Sequence, residues 1–207
     1  MPDYYETSNG AREYALTHSS IPDFYGEDIQ RLAGFLAPTA GKNILELGIG
    51  AGRDAKLLLQ MLGCSYTGID ISYPMIDQAR QYNAGKSLNL SVQNLLHLGL
   101  PNSTFDAIWA AAVFHHISSQ QLQFRNGLVE AHRILRPAGV FFISARTGGD
   151  FEEINSKTGL TYYHRSAGTL TKELDEAGFN MLEYSQINIP FEGKPISYLK
   201  MFAQKSS

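Results

Sequence analysis

The run Ile44-Leu45-Glu46-Leu47-Gly48-Ile49-Gly50-Ala51-Gly52 places a carboxylate at the end of an apolar stretch and then alternates glycines. Lacking a β-carbon, Gly48, Gly50 and Gly52 let the chain turn sharply from strand to helix and let a ligand lie against the backbone. About 20 residues further on, at the end of the next apolar run, Asp70 stands where a carboxylate accepts hydrogen bonds from both hydroxyls of a ribose. Together these features predict an adenosine-containing ligand. A dinucleotide sets a pyrophosphate over such a turn and prefers Gly-x-Gly-x-x-Gly with no anion close by. Here the spacing is Gly-x-Gly-x-Gly with Glu46 directly ahead of it, which favours a ligand carrying sulfonium and ammonium charges. The adjacent helix N-terminus and loop amides can still serve a lone carboxylate on that ligand.

Other chemistry-bearing residues cluster further along. His115 and His116 follow the fourth strand-like run, and either could take a proton from an acceptor. A histidine at such a junction is as readily a buried hydrogen-bonding post. Tyr162, Tyr163, His164 and Arg165, with Arg146, Asp150, Glu152 and Glu153, are expected in a loop after the fifth strand, where they would either meet a substrate or pack. His18, His97 and His132 lack a second ligand at a convincing spacing, so no metal site is expected.

The elements that must position these residues follow from the apolar pattern. Short apolar runs at 43–47, 65–70, 90–93, 105–110 and 139–145 suit buried parallel strands. Between them, 51–61 reads as a helix, and Ser72 with Pro74 starts another that reaches Tyr82. Phe124, Leu128, Ala131 and Leu135 mark a third helix that must stop before Pro137, and Leu170, Leu174 and Ala177 a fourth ended by Gly178. Runs at 180–189 and 196–203 are joined by a short segment containing Pro190, Gly193 and Pro195, too short for a parallel crossover. The expected fold is α/β: a Rossmann-like, doubly wound, seven-stranded sheet, mostly parallel with a C-terminal antiparallel hairpin, and helices on both faces. One domain is expected over 1–207, with an N-terminal helical cap at 1–36, rich in aromatics such as Tyr4, Tyr5, Tyr14, Phe24 and Tyr25, and a core at 37–207.

Composition limits the partners. The 17 basic residues are scattered and the net charge is −3, which disfavours nucleic acid. No apolar run approaches the roughly 20 residues that span a bilayer, and the polar, acidic start does not read as a secretory signal. Cys64 is the single cysteine, which rules out an internal disulfide and predicts a soluble protein of the reducing cytosol.

The sequence resembles the class I S-adenosylmethionine-dependent methyltransferases, in particular small-molecule enzymes similar to the ubiquinone/menaquinone-biosynthesis group. The resemblance runs from about Tyr4 to Phe179. It rests on the Glu46–Gly52 run, on Gly68-Ile69-Asp70-Ile71-Ser72 with Met75 and Ala79-Arg80, and on Phe105-Asp106-Ala107-Ile108. His115-His116-Ile117 and the run Glu130 to Gly139, with Pro137-Ala138-Gly139 as a variant turn, complete it. It implies that Glu46, Gly48, Gly50 and Gly52 lie beside the methionine part of S-adenosylmethionine and that Asp70 binds the ribose. It also implies that Ile71 and Met75 sandwich the adenine, that Asn94 and Leu95 read its edge, that the Ala110 carbonyl meets the ammonium, and that Tyr14 covers the donor pocket. Asn94 stands where the family more often has Asp. The implied reaction is in-line displacement by an oxygen, nitrogen or carbon atom of a small-molecule acceptor, with S-adenosylhomocysteine leaving and no fixed catalytic residue; His115, His116 and Tyr14 are the candidates. A non-catalytic module binding the same cofactor, or an NAD-linked oxidoreductase, are the alternatives. Asn188-Ile189-Pro190-Phe191 mimics the signature of adenine-N6 methyltransferases, but those place it after the fourth strand, where this chain has Ala110-Ala111-Ala112, so it is read as the turn between the last two strands.

Overall fold

The computed structural model describes residues 4–18, 24–36, 41–118, 120–191 and 194–206. The strands are Asn43–Leu47 (β1), Ser65–Asp70 (β2), Asn89–Val92 (β3), Phe105–Ala111 (β4), Leu135–Arg146 (β5), Phe151–Ile154 (β6), Thr161–His164 (β7), Phe179–Phe191 (β8) and Lys194–Lys205 (β9). The helices are Ser8–His18 (α1), Gly26–Phe35 (α2), Arg53–Leu62 (α3), Tyr73–Tyr82 (α4), Gln123–Ile134 (α5) and Ala167–Glu176 (α6). Seven strands pair in the order β3-β2-β1-β4-β5-β9-β8. The first five are mutually parallel, and β9 and β8 add as an antiparallel hairpin. The chain runs outward from β1 to β3 and then returns to the other side of β1 as β4, which creates the switch point where ligands bind in such sheets.

Strand alternation feeds two cores. Ile108 and Ala110 of β4 point to one face with Phe141 and Ile143 of β5, against Phe124 and Leu128 of α5 and Leu170 of α6. Ala107 and Trp109 point to the other, with Phe142, against Ile29 of α2 and Leu58 of α3. Helices therefore cover both faces, which is why these strands need no polar side.

Several local expectations are corrected. Tyr162, Tyr163 and His164 are not loop residues: they form β7, which pairs with β6 through Glu152↔Tyr163 and Phe151↔His164 in a separate two-stranded sheet. Aromatic residues favour an extended backbone, but the glutamates opposite hid the pattern. Arg146 closes β5 instead of lying in the loop. Pro137-Ala138-Gly139 sits inside β5 as a bulge: β5 advances from Leu135 to Val140 while β4 advances only from Phe105 to Ala107, and Ala138 takes a φ of 61°. Asn188–Phe191 belongs to β8, not to a turn; Pro190 pairs with Pro195 near the end of the ladder, where missing amides cost least. Gly193, expected in that turn, lies outside the described residues.

One buried ion pair fastens the N-terminal cap to the sheet. Lys200 Nζ of β9 donates to Asp28 Oδ2 of α2 at 2.6 Å and to the Phe24 carbonyl at 3.0 Å, and both side chains are almost fully buried. Breaking such a pair leaves a charge without water or partner. Lys200→Met is expected to lower unfolding free energy by about 3–5 kcal/mol, and adding Asp28→Leu to restore most of it. Urea denaturation of parent, single and double variants checks this; a harmless single variant would show that the pair does not fasten the cap.

Candidate functional site

The turn after β1 places Gly48, Gly50 and Gly52 at φ values of 67°, 53° and 81°, all left-handed. A Cβ on Gly48 would stand 2.4 Å from Val113 Cγ2, so the turn and the segment after β4 exclude each other's side chains. At Gly50 the neighbour is the Tyr14 ring, 3.4 Å from where a Cβ would stand. Pairing of β1 with β4 stops at Glu46↔Trp109, while Ala110 and Ala111 continue beside β5 alone. A crevice thus begins where the glycine turn leaves the sheet.

Asp70, at the end of β2, grips this turn. Its Oδ2 accepts from the Gly50 amide at 2.9 Å and its Oδ1 from the Ser72 amide at 2.9 Å. Ser72 caps α4 by accepting from the Met75 amide at 3.2 Å, and its hydroxyl donates to the Tyr5 carbonyl at 2.5 Å. The cap, the turn and the carboxylate are therefore one connected unit. Burial pushes the Asp70 carboxyl above its ordinary range, opposed by these backbone donors.

The remaining expected positions are spread around this unit. Ile71 is 61% exposed beside Asp70, whereas Met75 is packed into the core at 3%. Asn94 is exposed, with its Oδ1 accepting from the Leu96 amide at 2.9 Å, and Leu95 is buried. Ala110 is buried in β4. Tyr14 meets Tyr5 edge to face at 5.4 Å over the turn.

Glu46, expected ahead of the turn as a carboxylate that disfavours a pyrophosphate, has its charge opposed by its surroundings. It is almost fully buried beneath the turn and accepts a hydrogen bond from the Tyr66 hydroxyl. Burial first, then the nearby Asp54 charge, pushes its carboxyl well above the ordinary value; Asp70 adds to this, so the two site carboxylates do feel each other. A carboxyl that favours its neutral form repels a pyrophosphate weakly, so charge alone does not separate the two cofactor classes. Tyr66, which sequence reasoning missed, is on the same face of β2 as Gly68, the register partner of Glu46. Asp54 is held by Trp109 Nε1 at 3.1 Å and Arg53 Nε at 2.8 Å.

The two histidines separate clearly. His115 is 2% exposed, its Nδ1 accepts from the Arg146 amide at 3.4 Å, and burial holds its pKa well below the usual value. It is a buried post. His116 is partly exposed and bonds the Thr161 backbone, and burial and then the Arg146 charge push its pKa down to about 4. Tyr162 and Tyr198, the latter unanticipated, approach His115 at 5.4 and 5.9 Å between ring centres. Period-two spacing in the last strand was the available signal for Tyr198, since it pairs with Arg146 across β5 and β9.

The Glu46 environment carries a sign. Its pKa is raised on folding, so its contribution to stability is full below the unfolded carboxylate value and is lost as pH climbs through the folded one. Glu46→Gln escapes that loss. The stability of the variant relative to the parent is expected to improve as pH rises above the ordinary carboxylate range in chemical denaturation; a gap that stays flat from acid to neutral pH would contradict the buried acid.

Comparison with known proteins agrees with this geometry. A family model described as a methyltransferase domain matches residues 45–143. The chain is 31% identical over 134 residues to the 27-O-demethylrifamycin SV methyltransferase of Amycolatopsis mediterranei, covering 63% of this chain and 46% of that one. It thus spans less than half the length of that relative. It is also 31% identical over 190 residues to an uncharacterized methyltransferase of Geobacillus sp. strain WCH70, covering 82% and 87% of the two chains. A solved S-adenosylmethionine-dependent methyltransferase of Methanosarcina mazei shares the fold, with a TM-score of 0.67 at 20% identity over 81% of this chain and 94% of that one. With a relative matched along most of both chains and the glycine turn inside the matched family region, the protein belongs to the class I S-adenosylmethionine-dependent methyltransferase family.

Proposed function

We propose that this chain transfers a methyl group from S-adenosylmethionine to an oxygen, nitrogen or carbon atom of a small-molecule acceptor. The observation that carries the reading is the Asp70 carboxylate at the switch-point crevice, tied at 2.9 Å to the Gly50 amide. The residues present suit the cofactor. An ionised carboxylate has about four lone-pair sites, so Asp70 can hold the turn and still accept from a ribose diol. Gly50 leaves the turn without a side chain of its own beneath the Tyr14 ring.

In this reading Glu46, Gly48, Gly50 and Gly52 hold the methionine portion and Asp70 the ribose. Ile71 and Met75 flank the adenine, Asn94 and Leu95 meet its edge, the Ala110 carbonyl faces the ammonium, and Tyr14 closes over the donor. When bound, the cofactor supplies a methyl group made electrophilic by its sulfonium. Tyr5 and Tyr14 keep water from the crevice, and His115 orients the segment after β4. His116 is unprotonated at neutral pH and so able to receive a proton, but its depressed pKa makes it a weak base. The chain's main contribution is therefore orientation of the reacting groups.

A small-molecule acceptor is supported by the rifamycin-modifying relative and by the scattered basic residues at a net charge of −3, which do not suit a nucleic acid. The single cysteine, Cys64, supports a cytosolic setting, and no described helix is long and apolar enough to cross a membrane.

Calorimetry with S-adenosylhomocysteine and, separately, with NAD tests the cofactor, and release of S-adenosylhomocysteine over a broad panel of phenols, amines, quinones and carboxylic acids tests turnover. Asp70→Ala is expected to weaken S-adenosylhomocysteine binding by about 1.5–3 kcal/mol, with a thermal melt confirming the fold. Unchanged affinity in that variant, or binding of NAD alone, would remove the reading; binding with no turnover on any acceptor would leave a non-catalytic module.

A further inference from the structure

Across the crevice from the glycine turn, side chains from four separate parts of the chain converge. Tyr5 precedes α1, His116 follows β4, Arg146 ends β5 and Tyr162 lies on β7. Tyr5 meets His116 edge to face at 5.6 Å, and His116 meets Tyr162 at 5.0 Å. The Arg146 guanidinium carbon lies 3.5 Å from the centre of the Tyr162 ring. Tyr5 belongs to the N-terminal cap, whereas the other three are carried by the sheet strands and the segment after β4.

Arg146 is the unusual member. Its side chain is only 9% exposed, yet its Nε has no hydrogen-bond partner among the described residues. An N–H on a buried cation without an acceptor is costly, and that cost is relieved if a ligand supplies the acceptor. The ion pair it makes, with Glu153, is 3.2 Å long, and that carboxylate is half exposed and shared with His164 at 2.9 Å. Apart from Glu153, the histidines and tyrosines packed around this charge do not offset it. Burial keeps His115 and His116 unprotonated, and raises the phenols of Tyr5 and Tyr162 so that they too stay neutral. Arg53, the cation near Tyr14, is spoken for by Asp54 at 2.8 Å. The carboxylates of Glu46 and Asp70 belong to the donor side.

We propose that Arg146 is a specificity-determining residue that selects flat, aromatic acceptors carrying an oxyanion. A guanidinium stacked on a tyrosine presents its N–H edge to an oxyanion in the plane of a neighbouring ring, a geometry that an ammonium-bearing acceptor cannot use and that its charge opposes. The tyrosine and histidine rings supply the apolar walls. The inference rests on the methyltransferase reading, and its test keeps the two apart.

The protein is first saturated with S-adenosylhomocysteine and then titrated calorimetrically with benzoate, benzamide or benzylamine. Benzoate is expected to bind at least about tenfold more tightly than benzamide, with benzylamine weakest. Arg146→Met is expected to abolish that preference while retaining S-adenosylhomocysteine binding. Glu153→Gln, a change at a half-exposed side chain, frees the guanidinium and is expected to tighten benzoate about threefold to tenfold, which keeps the test decisive if Arg146→Met does not fold. Failure of S-adenosylhomocysteine to bind would sink the methyltransferase reading itself. If it binds, then equal affinity for benzoate and benzamide, no benzoate binding at millimolar concentration, a preference for benzylamine, or no response to Glu153→Gln would each overturn the role of Arg146 alone.

Discussion

A carboxylate taken out of water must find donors, and for Asp70 two of them are the backbone amides of Gly50 and Ser72. That requirement couples the ends of two adjacent strands. β1 must leave the sheet through a turn whose amides face β2, and only left-handed glycines make that turn while Val113 presses against it. The same grip reaches the N-terminal cap, because Ser72, after giving its amide to Asp70, gives its hydroxyl to Tyr5. Turn, carboxylate and cap are therefore joined by one chain of hydrogen bonds.

Beneath this surface the fold buries polar groups in matched sets. Glu46 is answered by Tyr66, Asp54 by Trp109 and Arg53, and Tyr25 by Ser144 at 2.7 Å. Ser144 also accepts from the Ala112 amide at 3.0 Å, which fixes the end of β4 at its left-handed residue. Trp109 stacks on Phe142 at 3.9 Å with Tyr25 edge-on to both, so the polar set is enclosed by aromatic area. Such satisfied groups fix a unique arrangement under the turn, where an apolar core would tolerate sliding. The cluster around Tyr162 differs in kind: the Nε of its buried Arg146 is left without a partner among the described residues.

Much of this was legible in the sequence because it is local. The Ser72 cap with Pro74, the Gly178 end of α6 and the alternating glycines each depend on a few consecutive residues and on rules of backbone geometry. The parallel strands followed from apolar runs that need no polar face, and the final antiparallel hairpin from a link too short for a crossover. The β6–β7 arm escaped because a short, exposed strand pair carries charged residues and leaves no periodic apolar signature. The prolines of the last hairpin misled for a related reason: proline marks turns and strand ends alike.

The sequence by itself determined the backbone chemistry of the glycine turn, since that turn and a carboxylate at a set distance are constraints between near neighbours. It did not determine protonation or neighbourhood. That Glu46 is buried as an acid beside Tyr66, that His115 is a post while His116 packs between Tyr5 and Tyr162, and that Arg146 meets Tyr162 are consequences of desolvation and of contacts between residues far apart in the chain. Only packing the cap, the β6–β7 arm and the last hairpin around one end of the sheet brings those residues together, because free energies of burial belong to the assembled environment and not to any residue type.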